Sequence, residues 1–252
     1  MLTEREARDA IIIALDCDRE TALGLANRLA GRATWVKVGM TLFYRYGPSI
    51  VDDLRVRGLR VFLDLKLHDI PFQVRGAAFS ASLSGADILS IHGLGGAAMV
   101  AEARAGVEEA AAERGEARTR LVAISVLTSM DADALASIGI DAPMADEVAR
   151  LSSLSVRAGS DGVVCSPKEA AQMRALLGPE ALIVCPGVRP AGSDVGDQRR
   201  VSTPAAAIGA GASKLVIGRP ITHASDPVAA FEGIVAELAA QLPPNPAEMQ
   251  VG

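Results

Sequence analysis

Five charged residues stand at the ends of three successive apolar runs. Asp16 follows Ile11–Leu15, Lys37 sits inside Trp35-Val36-Lys37-Val38-Gly39, and Asp64 and Lys66 fall in the run that begins at Val61, with Asp69 just beyond. A charge inside or just after an apolar strand is costly unless it is paired or exposed at a mouth. Asp64 and Lys66 are two apart, and strand alternation puts them on one side. If that side faces the axis of a barrel, Asp16, Lys37, Asp64 and Lys66 meet over its carboxyl-terminal mouth, each neutralising a neighbour. Such mutually perturbing groups in a cleft mark functional sites. The alternative is an ion-pair network that only closes the barrel top. Asp69 is freer to reach elsewhere. His68 reads as a loop residue, and His92 as a structural imidazole or one behind the site.

The far end of the chain suggests anion binding. Pro186-Gly187-Val188-Arg189-Pro190 follows one apolar run, with Gly192, Gly196 and Gln198 continuing its loop, and Gly218-Arg219-Pro220 follows the next. Glycines let backbone N–H groups approach an anion, and arginine adds a forked, charged donor. Glycines that merely turn the chain beside a solvated Arg219 are the alternative.

The elements that must position these residues follow from the apolar pattern. Strands are expected at Ile11–Leu15, Trp35–Val38, Val61–Leu65, Ile88–Ile91, Leu121–Val126, Gly162–Cys165, Leu182–Cys185 and Leu215–Ile217. Helical spacing separates them. Thr21–Leu29 has one apolar face, a segment around Val51 and Leu54 stops at Gly58, and Ala97–Arg114 and Pro227–Leu242 are rich in alanine, with Asp226 capping the last. Eight strands alternating with helices in 252 residues is the pattern of a single-domain (β/α)8 TIM barrel, in which phosphate commonly binds after strands seven and eight. An open doubly wound sheet is the second architecture, weakened by the lack of G-x-G-x-x-G after the first strand. One barrel over 1–242 is expected, with 243–252 a frayed tail. The connections Thr128–Pro143 and Pro186–Thr203 are longer than a strand-to-helix loop needs and should lie on the active face.

Composition narrows the class. Lys+Arg 25 against Asp+Glu 30 gives a net charge of −5, which argues against a nucleic-acid surface. One Trp, two Tyr and five Phe leave little for base stacking. Cys17, Cys165 and Cys185 form no C-x-x-C pair, so neither disulfides nor a zinc site is expected, and Cys17 and Cys165 should pack as small hydrophobes. No apolar run approaches the ~20 residues of a membrane helix, and no signal peptide is evident. A cytoplasmic protein without membrane partners is the expectation.

Asp64-Leu65-Lys66-Leu67-His68-Asp69-Ile70-Pro71 resembles the D-x-K-x-x-D signature of the orotidine 5′-phosphate decarboxylases. The likeness extends to ALD at Asp16, VKVG at Lys37, SVLTSM at Thr128, PGVRP at Arg189, GDQRR at Gln198 and VIGRP at Gly218–Arg219. It covers nearly the whole chain and looks like the bacterial branch. The resemblance implies a homodimeric barrel with shared sites. It also implies cofactor-free conversion of orotidine 5′-monophosphate to UMP and CO2, the last step of de novo UMP synthesis. By the same resemblance Lys66 protonates pyrimidine C6, Asp64 and Lys37 belong to the charged array, and Asp69 is contributed by the partner subunit. Asp16 and Lys37 hold ribose hydroxyls, Thr128 helps hold the pyrimidine, and Arg189, Gln198, Gly218 and Arg219 hold phosphate.

Two other readings remain. A 3-keto-L-gulonate 6-phosphate decarboxylase-like enzyme shares the barrel and the signature but uses Mg²⁺, and there an acidic ligand would be expected where Lys37 stands; a cation would repel the metal. A non-catalytic nucleotide-phosphate-binding barrel would have no need of a proton donor.

Overall fold

The computed structural model describes residues 2–190 and 202–240. Eight parallel strands close a barrel in sequence order: β1 Ile11–Ala14, β2 Trp35–Gly39, β3 Arg60–Leu67, β4 Ile88–His92, β5 Arg120–Ile124, β6 Gly162–Val164, β7 Leu182–Pro186 and β8 Lys214–Ile217. β8 returns to pair with β1, Ile12 opposite Val216. Alternation sorts the side chains. Ile12, Ala14, Trp35, Phe62, Ile88, Val122, Ile124, Val164, Leu182, Val184 and Val216 fill the interior. Their neighbours, such as Ile11, Ile13, Val36, Val38, Val61 and Leu63, join the apolar faces of the surrounding helices. The open doubly wound sheet is thereby replaced by a closed one.

The expected strands are all present, with small shifts at their ends. β5 stops at Ile124 rather than Val126, although Ser125 N–H still donates to the Val164 carbonyl at 3.3 Å. Helices lie at Arg19–Leu29, capped by Asp18, at Ser49–Arg55, at Gly96–Arg114 and at Pro227–Ala239, capped by Asp226. The helix expected to reach Leu242 ends at Ala239, with Ala240 extended, and the expected tail 243–252 lies outside the described residues.

Two departures have clear local causes. A helix at Glu4–Ala10 precedes β1, with Thr3 and Glu6 forming a capping box that satisfies the first free N–H groups. The connection Thr128–Pro143 is not all loop. Asp131 caps a short helix at Ala132–Ser137, and Pro143 leads into the helix Met144–Arg157. Across the other long connection, Arg189 N–H donates to the Ser202 carbonyl at 3.0 Å, pinning its two ends together.

Candidate active site

The interior columns deliver the charges. Two residues beyond Ile12 and Ala14 comes Asp16, two beyond Trp35 comes Lys37, and two beyond Phe62 comes Asp64. In the pairing of β1, β2 and β3, Ala14 is opposite Lys37 and Gly39 opposite Asp64. Lys37 Nζ therefore lies 3.0 Å from Asp16 Oδ1 and 3.6 Å from Asp64 Oδ2, and Lys66 Nζ lies 2.8 Å from Asp64 Oδ1. The four form a chain of alternating sign, Asp16–Lys37–Asp64–Lys66. Gly39 makes room for it, because a Cβ there would stand 3.2 Å from both Asp16 Oδ1 and Lys37 Nζ.

Lys66 lies beside Asp64 as alternation expects, but not by way of a regular strand. β3 and β4 lose register between Leu63 and Leu67, and Lys66 has φ +52°, the one positive value among the described non-glycine residues. Lys66 reaches the side of Asp64 through this bulge, which re-aims side chains as bulges near active sites do.

The electrostatics follow from the wiring. Burial pushes the Asp64 carboxyl up. Lys37, then Lys66, oppose this, and with hydrogen bonds from Lys66 and Ser90 they hold it below the ordinary carboxylate value. Asp64 is thus an ionised group kept between two cations. Behind Lys66, the rings of His68 and His92 stack at 4.9 Å between centroids. Burial, then His68 and Lys66, pull the His92 imidazole down to about 4. His92 Nδ1 accepts the Leu94 N–H, so it holds the turn after β4. Burial, with Asp18 and Asp16, pushes the Cys17 thiol up to about 11. Cys165 is fully buried.

Two cavities share the array. One, about 450 Å³, is bounded by Asp16, Lys37 and Asp64 on one side and by Gly187, Arg189, Gly218 and Arg219 on the other. Its floor is charged and its far wall is the pair of glycine-arginine segments after β7 and β8. The other, about 150 Å³, is largely apolar and runs from Lys37, Asp64 and Lys66 to Phe62, Val126, Leu127 and Thr128. One compartment suits an anion and its polyhydroxyl carrier, the other a flat ring. The charged array stands where they meet.

Of the residues singled out from the sequence, Asp16, Lys37, Asp64, Lys66, Thr128, Arg189, Gly218 and Arg219 line these cavities. Asp69 does not join them: its carboxylate is exposed and accepts the N–H of Ile70 at 2.6 Å. Gln198 lies outside the described residues. Sequence reading missed Gly39, whose need is visible only once Asp16 and Lys37 are adjacent. It also missed Ser90, fully buried on β4, whose hydroxyl donates to Asp64 Oδ1 at 2.9 Å.

Comparison with known proteins agrees with this geometry. The family model described as Orotidine 5′-phosphate decarboxylase / HUMPS family matches residues 9–234. Orotidine 5′-phosphate decarboxylase of Moorella thermoacetica is 50% identical over 234 residues, covering 92% of this chain and 93% of the relative. That of Thermobifida fusca is 50% identical over 230 residues, covering 90% and 95%. The crystal structure of orotidine 5′-phosphate decarboxylase from Lactobacillus acidophilus superposes with a TM-score of 0.82 at 37% identity, covering 92% of this chain and all of that one. In its sequence and in its closed eight-stranded barrel, the chain belongs to the orotidine 5′-phosphate decarboxylase / HUMPS family.

Proposed function

We propose that the protein decarboxylates orotidine 5′-monophosphate to UMP and CO2. The observation that carries this reading is the unbroken chain Asp16–Lys37–Asp64–Lys66 at the junction of a phosphate-sized and a ring-sized cavity. Phosphate sits at Arg189, Gly218 and Arg219, ribose at Asp16 and Lys37, and the pyrimidine beside Thr128. Gln198 completes the phosphate contacts as the family likeness implies.

The bond between C6 and its carboxylate breaks, CO2 departs, and the electron pair stays on C6. No adjacent carbonyl delocalises it, so fixed charge must stabilise it. The Lys66 ammonium is that charge and then gives C6 a proton. Asp64, held ionised, aims Lys66. Lys37 occupies the place between Asp16 and Asp64 where a Mg²⁺-dependent relative would need a carboxylate, which favours chemistry by side chains alone.

The working unit is a homodimer with shared sites, and Asp69 serves the partner's array. Supporting this, apolar side chains are exposed on successive connections after β2, β3, β4 and β5: Met40, Tyr44, Ile70, Phe72, Leu94 and Leu127. They flank Asp69 on one side of the mouth, an arrangement suited to an isologous interface. Mixed Lys66→Ala and Asp69→Asn proteins should regain activity after subunit exchange. No described helix is long and apolar enough to cross a membrane, and a cytoplasmic location belongs to the same reading.

The decisive assay is UMP formation from orotidine 5′-monophosphate with and without EDTA. Equal rates are expected. Activity lost to EDTA and restored by Mg²⁺ would favour the metal-dependent relative, and binding without turnover would favour a non-catalytic barrel.

A further inference from the structure

We infer that Ser90 is a positioning residue for Lys66, its buried hydroxyl locking the bulge of β3 that brings Lys66 against Asp64. The part of this inference that concerns turnover rests on the decarboxylase reading; the wiring does not.

The argument begins with register. Leu63 pairs with Leu89 and Leu67 with Ile91, so β3 uses four steps where β4 uses two. Two extra residues are accommodated, and Ser90 alone stands opposite Asp64, Leu65 and Lys66. A bulge of this kind breaks the ladder locally and leaves amides without their sheet partners. Lys66 bears the greatest distortion, with φ +52°, a conformation disfavoured for any residue with a Cβ. Such a conformation persists only where the surroundings over-determine it.

Ser90 supplies that constraint. Lys66 N–H donates to Ser90 Oγ at 2.9 Å, and Ser90 Oγ donates its single proton to Asp64 Oδ1 at 2.9 Å. The same Asp64 Oδ1 receives Lys66 Nζ at 2.8 Å. The result is a closed ring in which the backbone and the side chain of Lys66 are tied to one carboxylate oxygen, the backbone through the serine. Ser90 is fully buried, so no water replaces its hydroxyl freely. Removing it orphans the Lys66 amide, frees the bulge to relax, and loosens the oxygen that aims the ammonium. Cation and proton donor are one group here, so small displacements act on the chemical step: a misplacement of ~1 Å can cost ~10²-fold. The substrate-binding walls at Arg189, Gly218 and Arg219 lie across the barrel and are untouched.

The test compares Ser90→Ala and Ser90→Thr with wild type in three readouts: kcat, KM, and hydrogen exchange at the Lys66 amide by NMR. For Ser90→Ala we expect kcat to fall about 10- to 100-fold with KM within about threefold. Its Lys66 amide should exchange at least about tenfold faster. Ser90→Thr, which keeps the hydroxyl, should recover most of both losses. A kcat within about threefold of wild type in Ser90→Ala overturns the inference, as does an equal loss in Ser90→Thr or a fall expressed mainly in KM. If wild type itself makes no UMP, the decarboxylase reading fails. The exchange data then decide the wiring separately, and an unchanged Lys66 amide in Ser90→Ala overturns it.

Discussion

At the amino-terminal end of the barrel, the interior columns begin with charges, as they end with charges at the mouth. β3 runs Arg60, Phe62, Asp64; β5 begins at Arg120; and β8 runs Lys214, Val216, with Gly218 just beyond it. Arg60, Lys214 and Arg120 crowd the ring of Trp35 at 4.4, 4.8 and 5.7 Å from its centroid. Lys214 bonds both the backbone carbonyl and the carboxylate of Asp9, which also takes Trp35 Nε1–H at 2.8 Å. Asp87 and Asp161 repeat one device. Their carboxylates accept the N–H groups of Val61 and Leu121, at 2.9 and 2.7 Å, while their own N–H groups donate to the carbonyls of those residues. Arg118 then grips Asp161 with both terminal nitrogens. A cavity of about 800 Å³ opens at this end too, larger than either at the mouth. Size does not make it the site: on its wall Asp9 is taken up by Lys214 and Trp35, Arg60 by Asp87, and Glu6 by the backbone N–H of Thr3, contacts that tie strand starts and the first helix together.

The mouth is wired differently. Asp16, Lys37, Asp64 and Lys66 are bonded chiefly to one another, with Ser90 the link to backbone. Their remaining hydrogen-bonding capacity faces a cavity. The lesson is that the charges at the amino-terminal end tie strand starts together, through main-chain N–H and carbonyl groups as well as through one another, whereas those at the mouth converge on one another with their free capacity turned to a cavity.

The largest expected effect is at the mouth. Lys66→Ala removes the proton donor and the cation together, and turnover should fall by at least ~10⁴-fold, the scale of general acid catalysis combined with charge stabilisation. UMP binding should remain measurable, since the Arg189 and Arg219 wall is intact. A kcat within about tenfold of wild type would remove Lys66 from the mechanism.

A smaller effect is expected across the cavity. Arg219→Ala should cost about 1.5–3 kcal/mol in kcat/KM, the worth of a charged hydrogen bond. With orotidine lacking its phosphate, wild type and variant should react alike. An equal penalty on both substrates would show that Arg219 acts through structure.

The smallest effect is one of pH. His92 in the folded chain stays neutral down to about 4, whereas the ordinary imidazole value is 6.5. Between these values the unfolded chain binds a proton that the folded chain refuses, so this residue lowers stability as pH falls through that window. Asn at position 92 can still accept the Leu94 N–H but does not titrate. His92→Asn should therefore lose less stability than wild type between pH 6.5 and 4, measured by urea melts. Identical slopes would place the proton elsewhere.

Much of this was legible before the structure, for a physical reason. A parallel barrel strand is a short apolar run, and a charge at its carboxyl end has only the mouth to enter, so Asp16, Lys37 and Asp64 could be placed by counting in twos. Counting in twos also put Lys66 beside Asp64, where it lies, but not by the regular strand it assumed: the route is a bulge that β3 reveals only against β4. Ser90 was invisible for the same reason: an isolated serine in an apolar run carries no signal until the amide it satisfies is known. The helix Glu4–Ala10 was announced by Thr3-x-x-Glu6, a capping pattern that is easily passed over before so short a helix. The charges at the amino-terminal end went unread because their partners, Asp9 in the first helix and Asp87 and Asp161 just before β4 and β6, lie far apart in sequence.

The contrast between the two ends is tested most directly by measuring turnover and thermal unfolding together for Lys66→Ala and Asp161→Ala. Burial pushes the Asp161 carboxyl up, but Arg118, the Leu121 N–H and Arg104 hold it below the ordinary value of 3.8. Its ionised form therefore stabilises the fold above that pH, and the contribution is lost as pH falls further. At neutral pH Asp161→Ala should lose about 2–4 kcal/mol, roughly 5–15 °C in Tm for a chain of this size, and keep its kcat. Lys66→Ala should keep its Tm within a few degrees and lose its turnover. If both variants lost stability and activity in parallel, the division of the barrel into a structural end and a chemical end would be contradicted.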